Sequence, residues 1–142
     1  MNEFAAVMGL CNLKHYESVL AERREKYEYY TGRLREVEGV RLLEGSREAS
    51  RNYGYLPIVL EEGYGKTRDG LYDYLKENDI YSRKYFYPLT SDQECFKGSY
   101  RHVHLKCARE LAESVLVLPF SAVIKKADMD LVVDLVEKFV AE

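Results

Sequence analysis

No proline occurs before Pro57, and along that stretch the apolar residues recur with a helical period. Phe4, Met8 and Cys11 fall on one face at i, i+4 and i+7, and Tyr27, Tyr30, Leu34 and Val37 repeat it at i, i+3, i+7 and i+10. The spacing predicts helix over residues 3–38. A change of face near Asn12 to His15 predicts two helices or a kinked one, with His15 at the junction. Glu22 with Lys26 and Arg24 with Glu28 stand at i, i+4, the pattern of a solvated helix face.

Gly39 is read as the end of that helical region and Gly45 to Arg51 as a polar loop. Asn52 to Leu60 alternates with a period of two and predicts a strand, which Pro57 confines to a sheet edge or a bulge because it has no N–H to donate. Thr67 is placed to cap a helix whose buried stripe is Leu71 and Leu75 and which closes at Asn78. Ile80 to Tyr87 reads as a second strand stopped by Pro88, and Thr90 to Ser99 as a loop. A short helix near Lys106 to Glu113, a strand from Val115 to Leu118 ended by Pro119, and a terminal helix with Leu131, Leu135, Val136 and Phe139 on its face complete the chain. The order predicts an α+β fold, a small sheet with helices packed on it, and 142 residues suit one domain spanning residues 1–142.

Charge and cysteine usage narrow the partners. A net charge of -3 supplies no general field for nucleic acid or anionic lipid, so neither is expected. Phe4 to Leu10 is too short to span a bilayer, and Glu3 rather than a basic residue precedes it, so no membrane segment or export signal is expected. Three sparse cysteines, Cys11, Cys95 and Cys107, suggest free thiols in a reducing, cytoplasmic compartment, with Cys107 packed on the face of its helix. The skew toward 13 Tyr with no Trp suits interfaces and ligand walls, and equally a strand-rich core.

Several short patterns have plain structural readings. Gly65-Lys66-Thr67, the last three residues of the segment from Gly63 to Thr67, fit the end of a phosphate-binding P-loop, but Leu60 occupies the position of its first glycine, so a turn followed by a helix cap is expected. Cys95, His102, His104 and Cys107 are zinc-ligand types without a zinc spacing, and no metal is expected. No nucleophile elbow occurs, and Glu61 with Glu62 and Asp128 with Asp130 sit beside a turn and a helix start, where solvated carboxylates belong.

The densest chemistry runs from Tyr81 to Thr90, with two cations, four aromatics and no acid. Strand alternation puts Arg83, Tyr85 and Tyr87 on one face, where a guanidinium and phenol hydroxyls can meet a phosphate or sugar while rings stack on a base; Lys84 faces the other way. An anionic small ligand, a protein interface, an ordinary amphipathic strand and RNA all remain open from these residues alone.

The segment Met1 to Leu13 resembles R-M-[ST/N]-E-[FIL]-Q-A-A-x-G-L-x-Q-L of the DegT/DnrJ/StrS-type sugar aminotransferases. Three further blocks keep the family order: Arg23-Arg24 with Tyr30 and Leu34, Ile80 through Leu89, and Ala108 through Pro119 as A-x-x-L-A-x-x-V-L-x-L-P. Ala5, Thr90 and Ser121-Ala122 depart from the usual Gln, His and Tyr-Pro-like pair. The resemblance implies the C-terminal small domain of a fold-type I, pyridoxal-phosphate-dependent enzyme. Such enzymes pass an amino group from a glutamate-like donor to a keto group of a nucleotide-linked sugar. It places the Schiff-base lysine and most of the cofactor site in a larger N-terminal domain. It therefore implies no catalytic residue here, no cofactor on the isolated chain, an inactive isolated chain and a homodimeric parent. Arg83, Tyr85 and Tyr87 become the candidate substrate-binding residues.

Overall fold

The computed structural model describes residues 1–43, 45–46, 48–61, 66–96, 98–100 and 103–141. One helix, α1, runs from Glu3 to Leu34 with Asn2 capping its first turn. The expected break is absent, and His15 is exposed in mid-helix rather than at a junction. Only the last two turns of α1 are buried, at Tyr27, Tyr30, Thr31 and Leu34. Phe4 is 85% exposed, Met8 62% and Leu13 69%, so the first turns pack on nothing among the described residues. Apolar side chains surround this part of the helix, a distribution suited to enclosure by more than one surface.

The helix ends at Leu34, before Gly39. Two tight turns follow, and Gly39, at φ 79°, carries the chain into β1, Val40–Leu42, a strand the sequence pattern did not reveal. Next come β2 (Leu56–Leu60), α2 (Arg68–Glu77), two 3-10 turns (Thr90–Asp92 and Glu94–Phe96), α3 (Lys106–Ser114), β3 (Val115–Leu118) and α4 (Lys126–Ala141). Thr67 and Asn78 cap α2 as expected, Thr67 Oγ1 accepting from the Gly70 N–H at 3.0 Å.

The sheet is antiparallel with order β1-β2-β3, so β2 is central and not the edge strand that Pro57 suggested. The register shows how a middle strand tolerates the proline. Pro57 lies opposite Val117, whose N–H and C=O are both spent on Arg83 beyond the far side of β3. The Pro57 nitrogen therefore faces the β1 side, and β1 stops one residue short, with Leu42 opposite Ile58. The missing donor costs no ladder bond.

One face of the sheet, through Val40, Leu56, Ile58, Leu60, Leu116 and Leu118, joins the end of α1, α2 and α4 in the main core. Val59, Val115 and Val117 are buried on the other face, where α3 approaches β2. The buried stripe of α4 is Met129, Val132, Val133 and Val136; Leu131, assigned to that face from spacing, is 50% exposed. Arg33 fastens α1 to α4 through Asp130 at 2.8 Å and Asp134 at 2.7 Å, while the Tyr29 hydroxyl donates to Asp130 at 2.6 Å. These contacts hold the Asp130 carboxyl below the usual range, the Tyr29 hydrogen bond most of all.

Tyr30 is fully buried, its hydroxyl has no partner among the described residues, and burial pushes the phenol well above its usual range. An unpaired buried hydroxyl contributes nothing that its removal forfeits. Tyr30→Phe should leave stability unchanged or raise it by up to about 1 kcal/mol in urea unfolding. A comparable loss would show that the hydroxyl is hydrogen-bonded.

Candidate functional site

The expected strand from Ile80 to Tyr87 does not form. Arg83 alone pairs, its N–H donating to Val117 O at 2.9 Å and its carbonyl accepting from Val117 N–H at 2.8 Å. The chain turns at Tyr85 and Phe86, and Tyr87 N–H donates back to Lys84 O at 3.1 Å. Strand alternation therefore fails past Tyr85, and Tyr87 leaves the face that all three residues were expected to share.

Arg83 and Tyr85 stay together. The Arg83 guanidinium donates from Nη1 to the Tyr85 hydroxyl and lies 5.7 Å from the centre of that ring. Tyr55 meets Tyr85 edge-on at 5.7 Å, and Phe86 stacks on it at 4.8 Å. The Tyr85 hydrogen bond raises the Arg83 pKa further, so the group is a permanent cation. It has no carboxylate partner among the described residues.

Tyr87 goes to the opposite side, where the Arg68 guanidinium lies 4.9 Å from its ring centre. Lys84 shares that side, with Nζ 2.6 Å from Asp69 Oδ1 and 4.3 Å from the Tyr72 ring centre. The Lys84 contact is the main cause holding the Asp69 carboxyl below its usual range.

Arg83 and Tyr85 line an open cleft of about 620 Å³. Tyr55 and Tyr81 supply aromatic walls, Phe120 and Ile124 an apolar floor, and Asp128 a carboxylate at the start of α4. Sequence reasoning did not associate Tyr55, Phe120 or Asp128 with this segment; the tyrosine excess was the one signal of such a wall. A second concavity, about 480 Å³ beside β1, also contains arginines. There Arg51 donates to the Tyr27 hydroxyl and to Leu43 O, and Arg41 faces Glu61 at 3.9 Å. Arg35 lines this concavity too, but Tyr27 is its one aromatic residue, whereas the Arg83 cleft joins a cation to four aromatic rings, which makes it the better candidate for an anionic ligand with a ring to stack.

The remaining patterns do not build sites among the described residues. Gly63, Tyr64 and Gly65 lie outside them, while Lys66 sits over the Phe139 ring and Thr67 caps α2. His102 also lies outside them, and no metal-sized group of His, Cys, Asp or Glu occurs among the described residues. Cys11, Cys95 and Cys107 are free and exposed, so Cys107 is not packed on its helix as expected. No helix among the described residues is long and apolar enough to cross a membrane.

A small antiparallel sheet with helices on both faces and an aromatic, cation-bearing cleft defines an α+β domain, and comparison with known proteins gives its family. The profile of the DegT/DnrJ/EryC1/StrS aminotransferase family matches residues 1–137, and the chain belongs to that family. A dTDP-4-amino-4,6-dideoxy-D-glucose transaminase from Escherichia coli is 37% identical over 121 residues, covering 84% of this chain and 33% of the relative. Its namesake from Shigella dysenteriae is 30% identical over 138 residues, covering 97% and 38%. A crystal structure of DesI in the presence of its TDP-sugar product matches with a TM-score of 0.89 at 29% identity, covering all of this chain and 36% of DesI. The chain thus spans about a third of the length of these relatives and shares the fold of that part of fold-type I sugar aminotransferases.

Proposed function

We propose that residues 1–142 are a single C-terminal domain forming the substrate side of a pyridoxal-phosphate-dependent aminotransferase, which aminates a keto group of a nucleotide-linked deoxysugar. The observation that carries this reading is Arg83, a cation held by a phenol rather than a carboxylate at the mouth of an aromatic cleft. Its remaining N–H groups are free to grip a phosphate, and Tyr55 and Tyr81 offer rings to a base or sugar. The names of the relatives, a dTDP-sugar transaminase and an enzyme described with a TDP-sugar product, support a thymidine-diphosphate sugar. Tyr87, turned away from the cleft, has no part in this reading despite its place in the motif.

The described residues do not fit the covalent anchoring of pyridoxal phosphate. No lysine among them is buried, and the half-buried ones are engaged within the chain, Lys84 with Asp69, Lys26 with the Ala122 carbonyl and Lys66 with the Phe139 ring. We infer that the cofactor and a glutamate-like amino donor are handled by residues outside this chain, in a cytoplasmic homodimer. The exposed apolar turns of α1 support a large partner surface in that assembly.

Two measurements test the domain assignment. Coding DNA upstream of Met1 should continue in frame into a lysine-bearing domain. Incubation of the isolated chain with pyridoxal phosphate followed by borohydride should label no single lysine stoichiometrically. Labelling of one lysine together with transamination by these residues alone would contradict the proposal.

A further inference from the structure

The bridge to Val117 fixes where the backbone of Arg83 lies, and two residues on the side opposite its side chain, the buried Ser82 and the ion-paired Lys84, oppose a roll of the segment about its own axis. Successive side chains of an extended segment point to opposite sides, so whatever pins Lys84 also aims Arg83. Lys84 is pinned by Asp69, in the first turn of α2.

Asp69 is itself braced. Arg68 Nε approaches Asp69 Oδ1 to 2.6 Å, off the hydrogen-bond direction. The Arg68 side chain is buried and donates from Nη1 to Ala112 O at 3.0 Å and Val115 O at 3.4 Å, where α3 passes into β3. A connected path thus runs from that junction through Arg68, Asp69 and Lys84 to the backbone of Arg83, while β3 holds the same backbone from its other side.

We propose that Asp69 is a positioning residue for Arg83: through Lys84 it sets the roll of the segment and points the guanidinium into the cleft. The inference rests on reading that cleft as the nucleotide-sugar subsite. Neither Asp69 nor Lys84 borders the cleft, so their effect on binding is indirect.

The test uses thymidine diphosphate as probe, titrated into the chain and followed by nuclear magnetic resonance at the Arg83 Nε–H. Asp69→Asn should weaken binding by about 3- to 10-fold through misplacement alone. The Arg83 side chain should become more mobile while the thermal midpoint hardly moves. Lys84→Met should match it, the double variant should be no worse than either single change, and Asp69→Glu should retain affinity. If Arg83→Ala loses affinity while Asp69→Asn does not, the positioning role is wrong and the subsite stands. If Arg83→Ala binds the probe as well as the unaltered chain, the subsite reading fails and the positioning role fails with it. A marked fall in thermal midpoint for Asp69→Asn and Asp69→Glu alike would make the pair part of the fold, which also overturns the proposal.

Discussion

Arg83→Ala in the full-length enzyme carrying this chain is expected to lower kcat/KM for the nucleotide sugar by about 10- to 150-fold, the range for losing a charge-assisted hydrogen bond to a phosphate. The loss should fall on binding. Arg83 is exposed, has no carboxylate partner among the described residues, and touches the fold mainly through its backbone and Tyr85. Truncating its side chain leaves both bonds to Val117 in place, so the thermal midpoint should change little. Lys84→Ala should cost less, because its ammonium is on the far side, engaged with Asp69.

Leu116→Ala should do the opposite. Leu116 is fully buried in β3, opposite Ile58 and against the core formed by α1, α2 and α4. Cutting it to alanine removes apolar contacts and leaves a cavity, a change worth about 2 to 5 kcal/mol against a whole-domain stability of about 5 to 15. Urea unfolding should show a lower midpoint with an unchanged slope. The adjacent Val117 carries the bridge to Arg83, so such activity as survives should fall for every substrate together. A loss under about 1 kcal/mol would mean that the sheet relaxes around the gap and that β3 is not the core strand described.

The pair of variants shows which parts of the molecule the sequence could report. Features set within a few residues were legible: the Tyr27, Tyr30, Leu34 and Val37 face, the Thr67 and Asn78 caps of α2, and β3 stopped by Pro119. Features set by what lies across space were not. β1 is three residues long and exists because Leu60 and its neighbours offer it a partner. The segment from Ile80 to Tyr87 alternates like a strand, yet Val117 is its single strand-like partner among the described residues, and the turn after Lys84 carries Tyr87 to Arg68. In α4 the helical period was evident, but the choice between Leu131 and Met129 depended on where α1 and α2 approach.

The same division runs through the candidate site. Arg83 and Tyr85 are neighbours by local geometry and were found together; Tyr55, Phe120 and Asp128 reach the cleft from other elements. Arg68 and Asp69 read as the ordinary start of a helix. The burial of one and the grip of the other on Lys84 appear only once α2, α3 and β3 have been assembled.

The central claim is that Arg83 serves the nucleotide-sugar half of the reaction and not the fold. Rapid mixing that times the two half-reactions separately in Arg83→Ala tests it most directly. The step with the nucleotide sugar should slow by about 10-fold or more at sub-saturating substrate. The step with the amino donor should keep its rate, because that smaller substrate need not reach this cleft. Equal slowing of both steps, with a markedly lower melting temperature, would contradict the account and make Arg83 part of the structure.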